Sequence, residues 1–151
     1  MADTTAIQWI YPPHMEDGDW AEKTGNSRVV VRFTGTSDGT GETNAVKVDL
    51  SDLKTHSGTV PKRTAVEWVE WKVFGMAVNL SWDRAPRATI VNINDIGYNN
   101  GTIDEERMDW SAYGGYLDPG EDDGTGDIIL TSSYAYSGDS YDITMCLRLK
   151  D

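Results

Sequence analysis

The sequence predicts an all-β domain: an antiparallel β-sandwich, jelly-roll-like, of about eight strands, with an irregular N-terminal arm. Three observations carry this prediction. Short β-branched or alternating runs recur along the chain, turn residues separate them at intervals of about eight to twelve positions, and no long helical period is present.

Residues 1 to 26 are polar and interrupted by proline, with Trp9, Tyr11 and Trp20 scattered among Asp, Gly and Thr, and they read as an arm. Residues 27–151 read as one sandwich domain. Its first strand is Arg28-Val-Val-Val-Arg-Phe33, closed by the turn-rich Thr34 to Gly41. Val46, Val48 and Leu50 alternate with Lys47 and Asp49 and predict a second strand with those three residues inward. Between Arg63 and Phe74, helical spacing fits Val66, Val69 and Val73, while the density of Val and Trp favours a strand, bulged where the apolar parity switches after Trp68. Met76, Val78, Leu80 and Trp82 form the next alternating run after Gly75, and the two runs are expected to pair as a hairpin. Thr89, Val91 and Ile93 mark a fifth strand, Asn94 to Glu106 reads as loop, and a short strand is expected near Trp110 to Tyr116. The runs Asp127 to Thr131 and Tyr141 to Leu149 complete the set as a closing hairpin. The last alternates Tyr141, Ile143, Met145, Leu147 and Leu149 against a polar face holding Cys146.

Composition narrows function by exclusion. With 25 acidic and 13 basic residues among 151, the net charge is −12, which repels a phosphate backbone and makes nucleic acid an unfavourable partner. The single cysteine forms no intramolecular disulfide and no cysteine-cluster metal site, and it reads as an inert strand residue. The first residues lack the basic segment and apolar core of a secretory signal, and no apolar run approaches membrane-spanning length; this points to synthesis in a cytoplasm and to no membrane partner.

No catalytic motif is present. His14 and His56 lie in apparent loops with no second ligand at metal spacing, and there is no nucleophile elbow, phosphate loop or dinucleotide fingerprint. Asp118 to Asp127 places five carboxylates in ten residues, a composition that can hold calcium, but its spacing departs from the EF-hand and it reads as a solvated turn loop. No enzyme activity and no cofactor are expected. Among six Trp and seven Tyr, Trp68 and Trp82 read as core. Trp71, on the opposite parity from Trp68, reads as the better exposed contact, together with Ile7, Trp9, Tyr11 and Trp20 of the arm.

The segments Gly114-Gly-Tyr-Leu-Asp-Pro119, Gly124-Thr-Gly-Asp-Ile-Ile-Leu-Thr131, Gly138-Asp-Ser-Tyr-Asp-Ile-Thr144 and Leu147-Arg-Leu-Lys-Asp151, with Ala45-Val-Lys-Val-Asp-Leu-Ser-Asp-Leu53, resemble small structural proteins of tailed, mainly marine, bacteriophages. The resemblance spans about two thirds of the chain and excludes residues 1 to 26. It implies a non-enzymatic virion component, head-associated, made in the bacterial host cytoplasm, and brings no catalytic residue. A capsid decoration or cement protein fits this best, a homo-oligomer partnered by the major capsid protein or other virion subunits. The alternatives are a carbohydrate-binding or adhesin-like fibre or tail accessory, and a tail tube or connector component.

Overall fold

Two antiparallel sheets face one another in the computed structural model, which describes residues 3–11, 28–55, 57–95, 104–120 and 123–150. Ten strands are present among the described residues: β1 (Thr4–Tyr11), β2 (Arg28–Thr36), β3 (Ala45–Val48), β4 (Arg63–Phe74), β5 (Ala77–Trp82), β6 (Ala88–Asn94), β7 (Asp104–Asp109), β8 (Tyr116–Leu117), β9 (Ile128–Ser133) and β10 (Ser140–Lys150). One sheet runs β1-β2-β10-β4-β7, with β8 also pairing β4; the other runs β3-β9-β5-β6.

The pairing is nested: β2 with β10, β3 with β9, β4 with β7 and β8, and β5 with β6. This is the order produced when one long hairpin is rolled into two sheets, so the domain is a jelly roll with β1 added outside β2. β7 and β8 lie end to end along one edge of β4, against Trp68–Val73 and Ala65–Val66, and a 3-10 turn at Ser111–Tyr113 joins them.

Nesting overturns both expected hairpins. β4 and β5 belong to different sheets, and so do β9 and β10. Each tight connection carries the chain across the sandwich instead of back along one sheet. Gly75 makes the first crossing possible, because its φ of 82° suits glycine and a side chain there would collide with the Asp139 carboxylate. Alternation in a strand reports which face is buried and says nothing of the neighbour, so both arrangements read alike in sequence.

The core lies between the sheets. Val29, Val31 and Phe33 of β2, Val69, Trp71 and Val73 of β4, Val78, Leu80 and Trp82 of β5, and Tyr141, Ile143, Met145, Leu147 and Leu149 of β10 all point into it. Each such side chain contributes roughly 1.5–3 kcal/mol by leaving water. Trp82 keeps its indole N–H satisfied by donating to Thr64 Oγ1 at 3.0 Å. Gly35 is opposite Tyr141 in the ladder and leaves room for the ring, which lies where a side chain at 35 would be.

Bulges decide parity. In β4 the register with β10 slips between Val66 and Trp68, making Glu67 the extra residue. The strand is bulged as expected, but the switch falls before Trp68, so Trp71 turns inward and Trp68 turns outward. In β3 the slip at Lys47 buries the lysine and leaves Val46 half exposed, against expectation, while Val48 and Leu50 are buried as expected, Leu50 in a 3-10 turn after the strand. Residues 104–106, read as loop, belong to β7, and the expected strand at 110–116 is a 3-10 turn flanked by β7 and β8. Within the expected arm, residues 4–11 form a regular strand. The rest of the arm, with Trp20 and His14, lies outside the described residues, as does His56.

Candidate functional site

The acidic stretch Asp118 to Asp127, expected to be a solvated turn loop, buries Asp118 and Asp127 and ties them into the fold, while Asp123 is exposed and Glu121 and Asp122 lie outside the described residues. Asp118, its side chain fully buried, accepts from Arg84 Nε at 3.0 Å and Nη2 at 2.7 Å, and from the Gly120 N–H at 2.9 Å. The same guanidinium donates to the carbonyls of Lys62 and Gly124. The Asp118 hydrogen bonds raise the Arg84 pKa above its ordinary value, so the guanidinium stays protonated. Asp127, also buried, accepts from the Leu50 N–H at 2.8 Å. These carboxylates pin the connections β3–β4, β5–β6 and β8–β9 together at one end of the sandwich. Among the described residues, no three His, Cys, Asp or Glu side chains gather as a metal site, and no helix is long and apolar enough to cross a membrane.

At the other end, Glu42 joins the almost fully buried Lys47, at 2.6 Å, to the Tyr141 hydroxyl, which donates to it at 2.5 Å. Burial, then Glu42, raises the Tyr141 pKa and keeps it protonated. The lysine, carboxylate and phenol satisfy one another inside the fold, which makes this a structural network.

The outer face of the six-stranded sheet is a lattice of opposite charges. Arg32 grips Asp142 through two hydrogen bonds of 2.9 and 2.7 Å, Arg107 pairs with Glu70 at 3.1 Å, and Lys72 faces Glu105 at 3.8 Å. These residues line an open groove of about 530 Å³. Arg107 also lies 4.4 Å from the Trp68 ring centroid, covering the aromatic face that a sugar would need. Beside it the bulged Glu67 receives Arg28 and Arg148, each at 2.9 Å, and accepts the Cys146 thiol at 3.7 Å. Burial, then Glu67, pushes that thiol from 9.0 up to about 11, so Cys146 is a protonated, inert group at neutral pH.

The expected contact residues separate into two groups. Trp71 is a correction: it is 5% exposed, belongs to the core, and directs its indole N–H to Asp104 Oδ1 at 3.4 Å. Ile7, Trp9 and Tyr11 come together on β1. Ile7 and Tyr11 are exposed, with Ile10 beside them, while Trp9 is half-buried against the core. β1 pairs with β2 along one side only, from Thr4 against Thr36 to Tyr11 against Val30, with one bulge at Ile10. Among the described residues, β1 is the terminal strand on that side of the sheet.

The face of the four-stranded sheet differs again. β5, β6 and β9 contain no charged residue, and Asn79, Asn92, Asn94, Ser133 and Tyr134 line a neutral groove of about 260 Å³. Asn79 Nδ2 donates to Asn92 Oδ1 at 2.6 Å. Tyr134 stands at the rim, 68% exposed, with a φ of 58° that is unusual for a bulky residue. Nothing in the sequence alone flagged this groove, because the three strands meet only through nesting.

In comparisons with known proteins, no family model and no curated protein matches the chain.

Proposed function

We propose that the protein is a non-enzymatic structural subunit of a tailed-bacteriophage particle, a decoration or cement protein on the outer surface of the head, acting as an oligomer. The observation that carries this reading is β1: a long, uncharged strand with exposed Ile7 and Ile10 that is the terminal strand of its sheet among the described residues. Such an edge is an aggregation hazard unless a specific partner covers it. The segments that resemble phage structural proteins fall on β3, on β8, on β9 with the connection before it, and on β10, so they occupy the jelly-roll scaffold. A jelly roll by itself is compatible with many tasks, and the resemblance supplies the virion. Many copies on a symmetric shell gain avidity from modest individual contacts, which suits a neutral strand better than a buried pocket.

Mass spectrometry of purified particles tests the reading. The protein is expected among the virion proteins, and an Ile7→Lys variant is expected to be depleted from them while remaining folded. Absence of the unaltered protein from particles would end the virion assignment.

The neutral groove beneath Tyr134 favours a second reading, a carbohydrate-binding accessory. Its amides can both donate to and accept from hydroxyls, and Tyr134 offers a stacking face. Saturable binding of neutral polysaccharide that a Tyr134→Ala change removes would favour it over the decoration role.

A further inference from the structure

We propose that the neutral groove and the turn after β9 form one extended site for an uncharged oligosaccharide, in which Tyr134 and Tyr136 each carry a sugar ring and the Asn79–Asn92 pair reads hydroxyls. The inference rests on the reading of the groove as a carbohydrate site and deepens it by fixing the charge and the length of the ligand. It is independent of the virion assignment.

Register lays out the groove. Ala77 opposes Asn94 on one side and Ser133 on the other, and Asn79 likewise opposes Asn92 and Thr131. Directly opposed residues share a face, so two rows cross the sheet about 7 Å apart, and Ser133 of one row is followed directly by Tyr134. Asn79 Nδ2 donates to Asn92 Oδ1 at 2.6 Å, and Ser81 Oγ donates to Asn79 Oδ1 at 2.5 Å. These bonds hold the amides in place and use only part of their two donors and two lone pairs each. Amides fixed in this way can donate to one hydroxyl of a sugar and accept from the next.

The turn adds the rings. Asp139, itself buried, accepts the Tyr136 N–H through its carboxylate at 2.8 Å, donates its own N–H to the Tyr136 carbonyl at 3.0 Å, and accepts the Ser37 N–H on its carbonyl at 2.7 Å. Between the two tyrosines Ala135 packs against the core. The turn is therefore firmly held, while Tyr134 and Tyr136 on either side of Ala135 are 68% and 74% exposed. Two residues of chain separate them by about 7 Å at most, within reach of neighbouring units of one sugar chain. Tyr134 also has a φ of 58°, where glycine would relax the backbone and a bulky residue costs stability. Strain of this kind gathers at ligand clamps.

Lack of charge only excludes ligands; the rings and amides select one. β5, β6 and β9 hold no cation for an acidic sugar, and Asp95 and Asp139, engaged with the N–H groups of Gly75 and Tyr136, would repel one. Tyrosine faces stack on the apolar faces of sugar rings, and fixed amides match neighbouring hydroxyls.

An array of neutral and acidic glycans, from single sugars to hexasaccharides, tests this, followed by calorimetry with the best neutral binder. Neutral oligosaccharides are expected to bind, and more tightly than the single sugar, while acidic ones do not. Tyr136→Ala is expected to weaken the longer ligand about tenfold and to leave the single sugar unchanged. Tyr134→Gly is expected to abolish binding while the urea midpoint stays the same or rises, because glycine relaxes the backbone there; a ring that served only the fold would lower the midpoint. A longer ligand indifferent to Tyr136→Ala, with Tyr134→Gly still abolishing binding, would overturn the extended site and leave the groove reading standing. Preference for acidic glycans, or no binding to any, would overturn both.

Discussion

β1 and β7 are the two edges of the same sheet and solve the edge problem in opposite ways. β7 displays Asp104, Glu105, Glu106 and Asp109 around a single Arg107, and any strand approaching it meets a wall of carboxylate. β1 displays Thr, Ala, Ile, Gln and Trp and offers bare backbone. Fold requirements do not explain the difference, because among the described residues both strands pair on one side and both lie largely exposed. The contrast is that β7 carries the charges that keep another strand away, while β1 carries none of them, as the proposed contact role requires.

Stability and association therefore separate, and the largest expected effect lies away from both edges. Asp118→Ala leaves Arg84 buried without its partner and is expected to cost about 3–5 kcal/mol in urea unfolding. The self-association of the folded fraction is expected to stay as it was; a parallel loss would show that the edge contact depends on the loop staple.

Stripping β7 of its protection inverts the comparison. With Glu105→Thr, Glu106→Val and Arg107→Thr together, β7 becomes β1-like, and light scattering is expected to show larger species than the parent forms, since β7 has then lost the charges that protect it. Unchanged size would mean that something other than charge keeps β7 apart. A milder change, Arg107→Ala, removes the cation over Trp68 and the bond to Glu70. It is expected to cost about 1 kcal/mol and to shift Trp68 emission, with association unaltered.

The smallest effect is one of pH. The Cys146 thiol is raised in the folded state from 9.0 to about 11, so the neutral thiol contributes stability that is complete below about pH 9 and is lost as pH rises toward 11. Cys146→Ser is expected to change the slope of stability against pH in that window alone. A native-state alkylation rate at neutral pH equal to that of the unfolded chain would contradict the buried thiol.

Strand identity was legible in the sequence wherever alternation was clean, as in β5 and β10. Those runs fixed inward faces correctly because burial follows side-chain period. Pairing was not legible. The runs on either side of Gly75 read as a hairpin, yet they cross between sheets, since nested closure depends on partners more than a hundred residues apart, as with Arg32 and Thr144. Trp71 was misplaced by one bulge: a single extra residue at Glu67 exchanges the faces of all that follow in β4, and nothing in Val-Glu-Trp-Val marks which residue is extra. The contact strand was half legible, since Ile7, Trp9 and Tyr11 stood out as aromatic and apolar residues in need of a surface, while their arrangement as an edge required β2 beside them.

β10 lies between β2 and β4 and follows both in the chain. On a ribosome, β2 and β4 are therefore made long before the strand that joins them, and each must wait with an open flank. The roll closes only when its latest piece is threaded into the middle, which makes completion of this sheet a slow, non-local event dominated by loop closure. Arg32 and Asp142, whose ion pair forms across that last seam, then report whether a given copy has finished folding.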